Sequence, residues 1–385
     1  MAGCAPVAEA AGGFVEELRA RAAEIERLRR IPAELSRRFA RAGLYRTCVP
    51  EAYGGLELPP AETMAAIETL ARGDGSAAWV VFIGATSGSV LAYLPEGSAR
   101  EIFAGPETLL AGVFAPRGRA VPVDGGFRAA GRWSWGSGTE NADWIMGGCQ
   151  VLRDGVPERM PNATPRSYMM LAPAAEVELF DTWHAAGLCG TGSTDFAMND
   201  LFVPEDRVVG LTRARPLERP LYAFPHFGLL AMGVAAVALG LARAAIDELV
   251  GLAGGKTPSG SARPLAERQS TQSRVSEAEA LLRSARAFFY ESVERAWERA
   301  RADGRIGVAE RRDVRLATTH AVRSCARAID HMYELAGGTS VYRDSPLQRI
   351  FRDVHVATQH MMVAPATLEL TGRLLLGLET ETSLL

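Results

Sequence analysis

The feature that most constrains the fold is the order of three regions with different hydrophobic patterns along the chain. Up to about residue 110, apolar residues recur at helical spacing, and short alternating stretches broken by Gly, Pro and Asp follow to about residue 212. The rest is helical again, in four long segments: 227–254, 264–302, 308–336 and 352–379. This order predicts an α+β protein with an N-terminal helical domain (1–110), a central β domain (111–212) and a C-terminal four-helix bundle (213–385).

Composition argues against several other classes of protein. The 385-residue chain has a formal net charge of −3, so it lacks the basic excess typical of nucleic-acid-binding proteins. Its five cysteines are scattered without a CxxC pair, which argues against a disulfide framework and a zinc site and for a cytoplasmic location. The longest apolar run, 228–241, is too short to cross a bilayer and predicts a buried helix, so no membrane partner is expected.

Three motifs narrow the fold further. They are GRWSWGSGTENADW at 131–144, DTWHAAGLCGTGSTDFAMNDLFVPEDR at 181–207 and ELAGGTSVYRDSPLQRIFRDVHVATQH at 334–360. In sequence and order they resemble the signatures of the acyl-CoA dehydrogenase superfamily, in its branch of two-component flavin-dependent monooxygenases (group D type). The resemblance implies an acyl-CoA dehydrogenase-like fold, a homotetramer, and a flavin (FAD or FMN, bound in its reduced form) between the β domain and the bundle. A separate flavin reductase would supply that flavin.

The resemblance assigns the first motif to the flavin ring. Ser137, beside Gly138, takes the position that faces flavin N5, where a hydroxyl can accept from the reduced ring or donate to the oxidised one. The alternative for Ser137 is an ordinary turn serine between two glycines. Trp133 and Trp135 alternate along a predicted strand, so both are candidates to wall the ring, and the alternative is that both fill the core.

The other two motifs supply further candidates for flavin contacts. In the second motif, Thr191 and Ser193 offer hydroxyls in a loop that is not a dinucleotide fingerprint, because a predicted strand follows it instead of a helix. This loop has Cys189 where the family pattern has arginine. The alternative for it is a tight turn. Four residues are expected near the phosphate tail of the flavin: Arg263, Gln272, Gly337 and Gly338. The alternative for the first two is a solvated side chain.

The third motif lacks the catalytic base of a dehydrogenase. Acyl-CoA dehydrogenases carry a glutamate just after it, but here that residue is Met361, whose thioether cannot accept a proton. The helix that begins near residue 228, where some relatives carry the base, offers no acid either. His360 is therefore the catalytic candidate, because it could deprotonate the substrate or hydrogen-bond to the oxygenated flavin. The alternative is a histidine satisfied inside the bundle.

Substrate contacts and the remaining ionisable residues complete the expected site. Four residues are expected at the substrate: Phe224, His226, His360 and Met361. The first two lie in a linker that roofs the substrate pocket in the family, and the alternative is a packed linker. Arg352 and Asp353 are interpreted as an ion pair or cap at a helix start. No metal site is expected.

Together these observations predict a flavin-dependent monooxygenase. It would use reduced flavin and dioxygen, through a flavin C4a-hydroperoxide, to oxygenate a small aromatic or amine substrate. N-oxygenation of an amino sugar is a variant of this hypothesis. A second hypothesis is an acyl-CoA or acyl-carrier thioester dehydrogenase with a non-standard base. A third is a non-catalytic flavin-fold protein that serves as an assembly partner.

Overall fold

The computed structural model describes residues 5–160, 164–210 and 217–385. The first part is helical, and its five helices are α1 (Ala5–Leu28), α2 (Ala33–Arg41), α3 (Pro60–Ala71), α4 (Gly75–Ser87) and α5 (Glu96–Ile102). Asp74 caps α4, because its side chain accepts a 2.9 Å hydrogen bond from the Ala77 backbone N–H. A 3₁₀ turn, Gly88–Tyr93, continues α4 and is buried over most of its length.

The middle of the chain forms a single mixed sheet. Its strands are β1 (Leu110–Val123), β2 (Gly126–Gly136), β3 (Trp144–Arg153), β4 (Val156–Pro157), β5 (Ser167–Pro173), β6 (Glu178–Phe180), β7 (Thr194–Pro204) and β8 (Val208–Val209). Their order is β6-β7-β2-β1-β3-β5-β8, and the short β4 pairs with β3. β1 pairs antiparallel with β2 and parallel with β3. The expected boundary at residue 212 lies outside the described residues, and the division into three domains stays a prediction.

Trp133 occupies the centre of the sheet's core. It is fully buried, its indole Nε1 donates to the Gly148 carbonyl at 2.8 Å, and its ring stacks on Phe196 at 5.1 Å between centroids. A Cβ on Gly118 or Gly147 would lie 2.3 Å or 2.7 Å from the Trp133 ring, so these glycines leave the space that the ring fills. The prediction that Trp133 walls the flavin is therefore wrong, because its ring is enclosed by the sheet.

The last part of the chain is helical, but its fourth predicted helix is broken. The helices are α6 (His226–Ala253), α7 (Gln269–Asp303), α8 (Val308–Ala336), α9 (Pro346–Ala357) and α10 (Ala366–Leu375). A 3₁₀ turn, Met361–Val363, separates α9 from α10. The prediction of a single helix over 352–379 is therefore wrong. Pro365 explains the break, because it has no N–H to continue a helix and it disfavours helical geometry in the residue before it.

α6 is the central helix of the molecule. It packs against α3 and α4 on one side and against α8 and α9 on the other. The segments Gly75–Tyr93 and His226–Ala253 are long and apolar enough to cross a membrane by composition alone, but each is 94% buried inside the protein. The expected burial of 228–241 is confirmed, although α6 begins slightly earlier, at His226, and continues well beyond the run to Ala253.

Candidate active site

A bulge in the sheet turns Trp135 outward. The pairing of β2 with β7 shifts register between Trp133 and Gly136, and Trp135 takes a left-handed backbone conformation with φ of 69°. A non-glycine residue in that conformation is strained, and such outliers cluster at functional sites. The indole is 65% exposed, with the Arg117 guanidinium 5.7 Å from its ring centroid. Trp135 therefore presents a flat aromatic face, which suits a planar ring.

A buried chain of side-chain hydrogen bonds runs from α4 to the loop before β7. The Trp79 indole Nε1 donates to Ser137 Oγ at 3.1 Å, and Ser137 Oγ lies 2.6 Å from Ser193 Oγ. Ser193 Oγ lies 2.6 Å from Thr191 Oγ1, which lies 2.8 Å from the Leu188 carbonyl oxygen. We call these five groups the hydroxyl chain. It brings together three residues that the sequence motifs assigned to the ring separately.

The two ends of the hydroxyl chain fix the position of each hydrogen in it. A carbonyl can only accept, so Thr191 gives its single hydroxyl hydrogen to Leu188. Ser193 must then donate to Thr191, and Ser137 must donate to Ser193. Ser137 Oγ is left with one lone pair and no free hydrogen. The expectation that this hydroxyl serves both redox states of a flavin is thereby narrowed, because Ser137 can accept but has nothing left to donate.

Glycines bring the backbone around the hydroxyl chain into close contact. Gly138 has φ of 76°, and its N–H donates to the Thr191 carbonyl at 2.9 Å. A Cβ on Gly187 would lie 2.4 Å from the Arg352 carbonyl oxygen, and one on Gly190 would lie 2.2 Å from Ile25. The glycines of this loop thus serve close packing against α9 and α1.

Asp353 anchors the same loop from the C-terminal part of the chain. Its Oδ1 accepts a 2.6 Å hydrogen bond from the Leu188 backbone N–H, while Arg352 pairs with Glu26 at 2.7 Å. Both residues lie well inside α9, so their interpretation as a pair or cap at a helix start is wrong. Burial, followed by the nearby Asp74 carboxylate, raises the pKa of Asp353 to about 7.

His360 lies beside Trp79 at the break between α9 and α10. The two rings meet edge to face, 5.7 Å between centroids, and His360 Nδ1 accepts a 3.3 Å hydrogen bond from the Met362 backbone N–H. Because a backbone N–H can only donate, neutral His360 carries its hydrogen on Nε2. Desolvation, and then the positive charge of Arg315, lower the pKa of His360 to about 4. At neutral pH His360 is therefore a hydrogen-bond donor, and its bare nitrogen is engaged.

The residues expected at the substrate occupy different places. Met361 is 61% exposed next to His360. His226 is buried at the start of α6, where Phe114 of β1 lies 3.9 Å from it between ring centroids. Phe224 is buried inside the bundle against Trp297, at 6.4 Å between centroids. The assignment of Phe224 to the substrate stays a prediction.

Comparison with known proteins decides the family. Residues 6–99 match the acyl-CoA dehydrogenase N-terminal domain, and residues 232–365 match the acyl-CoA dehydrogenase C-terminal domain. The chain belongs to the acyl-CoA dehydrogenase family. Its fold, with an N-terminal helical part, a central sheet and a C-terminal helical part, confirms the fold class predicted from the motifs.

Within the acyl-CoA dehydrogenase family, the relatives are oxygenase components. The indole-3-acetate monooxygenase of Pseudomonas putida is 38% identical over 360 residues, 93% of this chain and 90% of that protein. The oxygenase component of the FADH2-dependent resorcinol hydroxylase of Rhizobium sp. is 29% identical over 386 residues, 95% of this chain and 93% of that protein. XiaF from Streptomyces sp., solved with FADH2 and glycerol, is 27% identical, with a TM-score of 0.89 and coverage of 97% of this chain and 96% of that one. The chain thus lies in the branch that the motifs predict.

The residues assigned to the phosphate tail lie at one end of the bundle. Gly337 ends α8 with φ of 53°, and the turn Gly337–Val341 follows it. The Nζ of Lys256, the single lysine of the chain, donates to Thr339 Oγ1 at 2.5 Å and also to the Ala336 carbonyl. This contact joins the turn to the loop 254–268, which carries Arg263, and we call the two segments the tail loops. Arg263 and Gly338 are exposed in the tail loops, and Gln272 is exposed in the first turn of α7. Their role in binding stays a prediction.

Sequence reasoning gave no flavin or substrate role to three residues of the site. Trp79 gives the hydroxyl chain its donor, Asp353 holds its loop, and Phe114 covers His226. The first had a usable signal, because a tryptophan stands alone in the otherwise small-residue segment 75–81. The other two act through partners more than a hundred residues away, which no local pattern indicates.

Proposed function

We propose that this chain is the oxygenase component of a two-component flavin-dependent monooxygenase acting on a small aromatic substrate. It takes reduced flavin, FAD or FMN, from a separate flavin reductase. The relatives support this, since one is an indole-3-acetate monooxygenase, one is the FADH2-dependent oxygenase component of a resorcinol hydroxylase, and one binds FADH2. Their substrates, as far as their names give them, favour an aromatic compound over an amino sugar.

The observation that carries the proposal is the protonation state of His360. A dehydrogenase needs a base at this place to remove the substrate's α-proton, but Met361 has no basic group and His360 Nδ1 is engaged by the Met362 N–H. The free ring nitrogen, Nε2, carries hydrogen at neutral pH. It can donate a hydrogen bond to an oxygen that gains negative charge during oxygen transfer. The arrangement is therefore suited to oxygenation and unsuited to dehydrogenation.

The residues around Ser137 fit a reduced flavin. The exposed Trp135 face suits the flat ring, and the lone pair on Ser137 Oγ suits the hydrogen that N5 carries only in the reduced state. Bound there, the flavin supplies two electrons and the activation of dioxygen, so that one oxygen atom enters the substrate and the other leaves as water. The chain's own residues bind the ring, select its redox state and exclude water.

Water exclusion follows from the packing behind the hydroxyl chain. Trp79 is 6% exposed and packs edge to face on Phe82, 4.8 Å between centroids, while Phe82 lies against Gly233 of α6. A dry wall of this kind strengthens hydrogen bonds made inside it and keeps reactive oxygen species from water.

Assembly and location complete the proposal. In the described C-terminal helical part, six large apolar side chains are more than half exposed: Val250, Val341, Tyr342, Met361, Leu375 and Leu376. Such exposure is typical of a surface that another subunit covers, which supports the homotetramer. The reductase and the reduced flavin point to the cytoplasm as the location.

The test offers the protein reduced FAD or FMN, isotopically labelled dioxygen and a panel of indoles and phenols. The expected result is a product that gains one labelled oxygen atom, detected by mass spectrometry. Trp135→Ala serves as the matched variant, because it removes the proposed ring contact on an exposed side chain. Product without label would contradict the proposal. So would bleaching of the oxidised flavin by an acyl thioester without oxygen, which would establish the dehydrogenase instead.

A further inference from the structure

His226 is a buried histidine whose environment fixes its hydrogen. It is 6% exposed at the start of α6, and its Nδ1 lies 3.1 Å from Ser89 Oγ in the turn after α4. Ser89 Oγ also lies 2.7 Å from the Thr86 carbonyl oxygen. The carbonyl can only accept, so it takes the single hydroxyl hydrogen of Ser89. His226 Nδ1 must therefore donate to Ser89, and the hydrogen of neutral His226 lies on Nδ1.

The other ring nitrogen, Nε2, is then a bare acceptor. Among the residues that the structure describes, no donor reaches it, and the atom is buried. Burial lowers the pKa of His226 to about 3, so the ring stays neutral at physiological pH and Nε2 keeps its lone pair. A buried acceptor without a donor is costly, and buried polar atoms in native proteins almost always have a partner.

Two aromatic side chains pack on the ring that carries this acceptor. The Phe114 ring lies on His226 at 3.9 Å between centroids and an angle of 31°, and the Phe227 ring meets it edge to face at 6.3 Å. Both phenylalanines are only partly buried. The acceptor is thus set among apolar surfaces, which is the usual composition of a site for a flat organic ligand.

His226 and His360 both lie near the contact between α4 and α6. Phe82, the neighbour of Trp79, lies against Gly233, which is seven residues after His226, or about 10 Å along the helix. Arg315 ties the two places together, because its guanidinium donates to the Met362 carbonyl at 3.0 Å and to the Phe227 carbonyl at 3.4 Å. Packing through Phe82 and hydrogen bonds from Arg315 thus connect the surroundings of His226 to those of Trp79 and His360.

We propose that His226 Nε2 accepts a hydrogen bond from a ring N–H or O–H of the aromatic substrate, and so makes the enzyme selective for substrates with such a donor. This inference rests on the proposed function and names its substrate class. Phe114 and Phe227 hold the aromatic ring, and the histidine rejects a ring whose donor is replaced by an apolar group. A site that is built to pair a polar group discriminates strongly against the analogue that lacks it.

The test measures binding alone. Protein saturated with reduced flavin, without oxygen, is dialysed to equilibrium against indole, 1-methylindole and 5-methylindole. The last ligand adds the same bulk as 1-methylindole but keeps the N–H. We expect wild-type protein to bind indole and 5-methylindole about tenfold more tightly than 1-methylindole. His226→Phe, which keeps the stacking on Phe114, should reduce this ratio to about one.

A second variant tests the assigned hydrogen. Ser89→Ala removes the acceptor of Nδ1, so the ring hydrogen can move to Nε2, and the preference for indole should fall although the histidine is intact. Wild-type protein that binds indole and 1-methylindole equally, or that binds neither ligand, would overturn the proposal. So would a ratio that survives in His226→Phe, because a group other than His226 would then recognise the N–H of the ligand. Failure of the proposed function would appear separately, as missing label in the oxygenation assay.

Discussion

The hydroxyl chain and the tail loops differ in how fully their polar groups are buried and paired within one protomer. In the hydroxyl chain, Ser137, Ser193 and Thr191 are all more than nine-tenths buried, and each hydrogen has an acceptor. In the tail loops, Arg263 and Gly338 are exposed. Under the proposed function, a single chain would preorganise the contact with the flavin ring. The exposed tail loops would leave the phosphate tail open to another subunit of the proposed homotetramer.

This difference separates selectivity for the flavin ring from retention of the flavin through its phosphate tail. Recognition of the ring depends on fixed hydrogens inside one fold, so it should respond to single-atom changes in buried side chains. Recognition of the tail depends on exposed groups, whose charge interactions are weak and screened by salt. Changes near Ser137 and His360 should therefore exceed changes near Arg263.

The largest effect is expected for His360→Ala. Loss of the Nε2–H donor should slow oxygenation about 100-fold, or about 3 kcal/mol, which is the typical cost of one preorganised donor. His360→Gln, which restores an N–H donor, should recover part of the rate. Product formation under saturating reduced flavin measures both.

The pH profile of the wild-type enzyme sharpens this prediction. Because burial holds the pKa of His360 at about 4, the ring is neutral above that pH, and its contribution should be constant between about pH 6 and 9. A base with an ordinary pKa would instead lose activity as the pH fell through about 6.5. A step at that pH that disappears in His360→Gln would show that His360 acts as a base.

A smaller effect is expected for Ser193→Ala. This change frees the hydrogen of Ser137, which can then donate to the oxidised ring, so the preference for reduced over oxidised flavin should fall about tenfold. Ser137→Ala is the matched control, and it should weaken the reduced flavin alone. Dissociation constants for both redox states, measured by titration, decide the matter. If Ser193→Ala weakened the binding of reduced and oxidised flavin equally, Ser193 would have only a structural role.

The smallest effect is expected for Arg263→Ala in the tail loops. It should weaken FAD by roughly fivefold, about 1 kcal/mol, and leave riboflavin, which has no phosphate, unchanged. Arg305→Ala removes another exposed arginine, two residues beyond the C-terminal end of α7, and serves as the control. If FAD weakened as much in Arg305→Ala as in Arg263→Ala, the tail loops would have no special role.

Local patterns were enough to predict most helices and strands. The segments 227–254 and 308–336 have helical periodicity along their whole length, and the helices agree with them within a residue or two. The fourth segment misled because its apolar residues keep helical spacing through His360 to Val363, although the chain turns there before Pro365. Hydrophobic periodicity indicates which side chains are buried, and a buried turn can have the same spacing of apolar residues as a helix.

Alternation along a strand could not separate the two tryptophans. A spacing of two residues places Trp133 and Trp135 on one face of an ideal strand, and both were expected at the flavin. The bulge between them depends on how β2 pairs with β7, about sixty residues later, so one ring enters the core and the other turns outward. The hydroxyl chain was equally hidden, because its members lie at positions 79, 137 and 193.

The position of α6 between early and late helices has a consequence for how the chain acquires its structure. α3 and α4 are synthesised before this 28-residue apolar helix, whereas α8 and α9 follow it by more than fifty residues. Until α8 arrives, the side of α6 that α8 covers has only its smaller contact with α7, and it is prone to aggregate. The first half of the protein therefore cannot reach its final packing during synthesis, and cooperative closure must wait for nearly the whole chain.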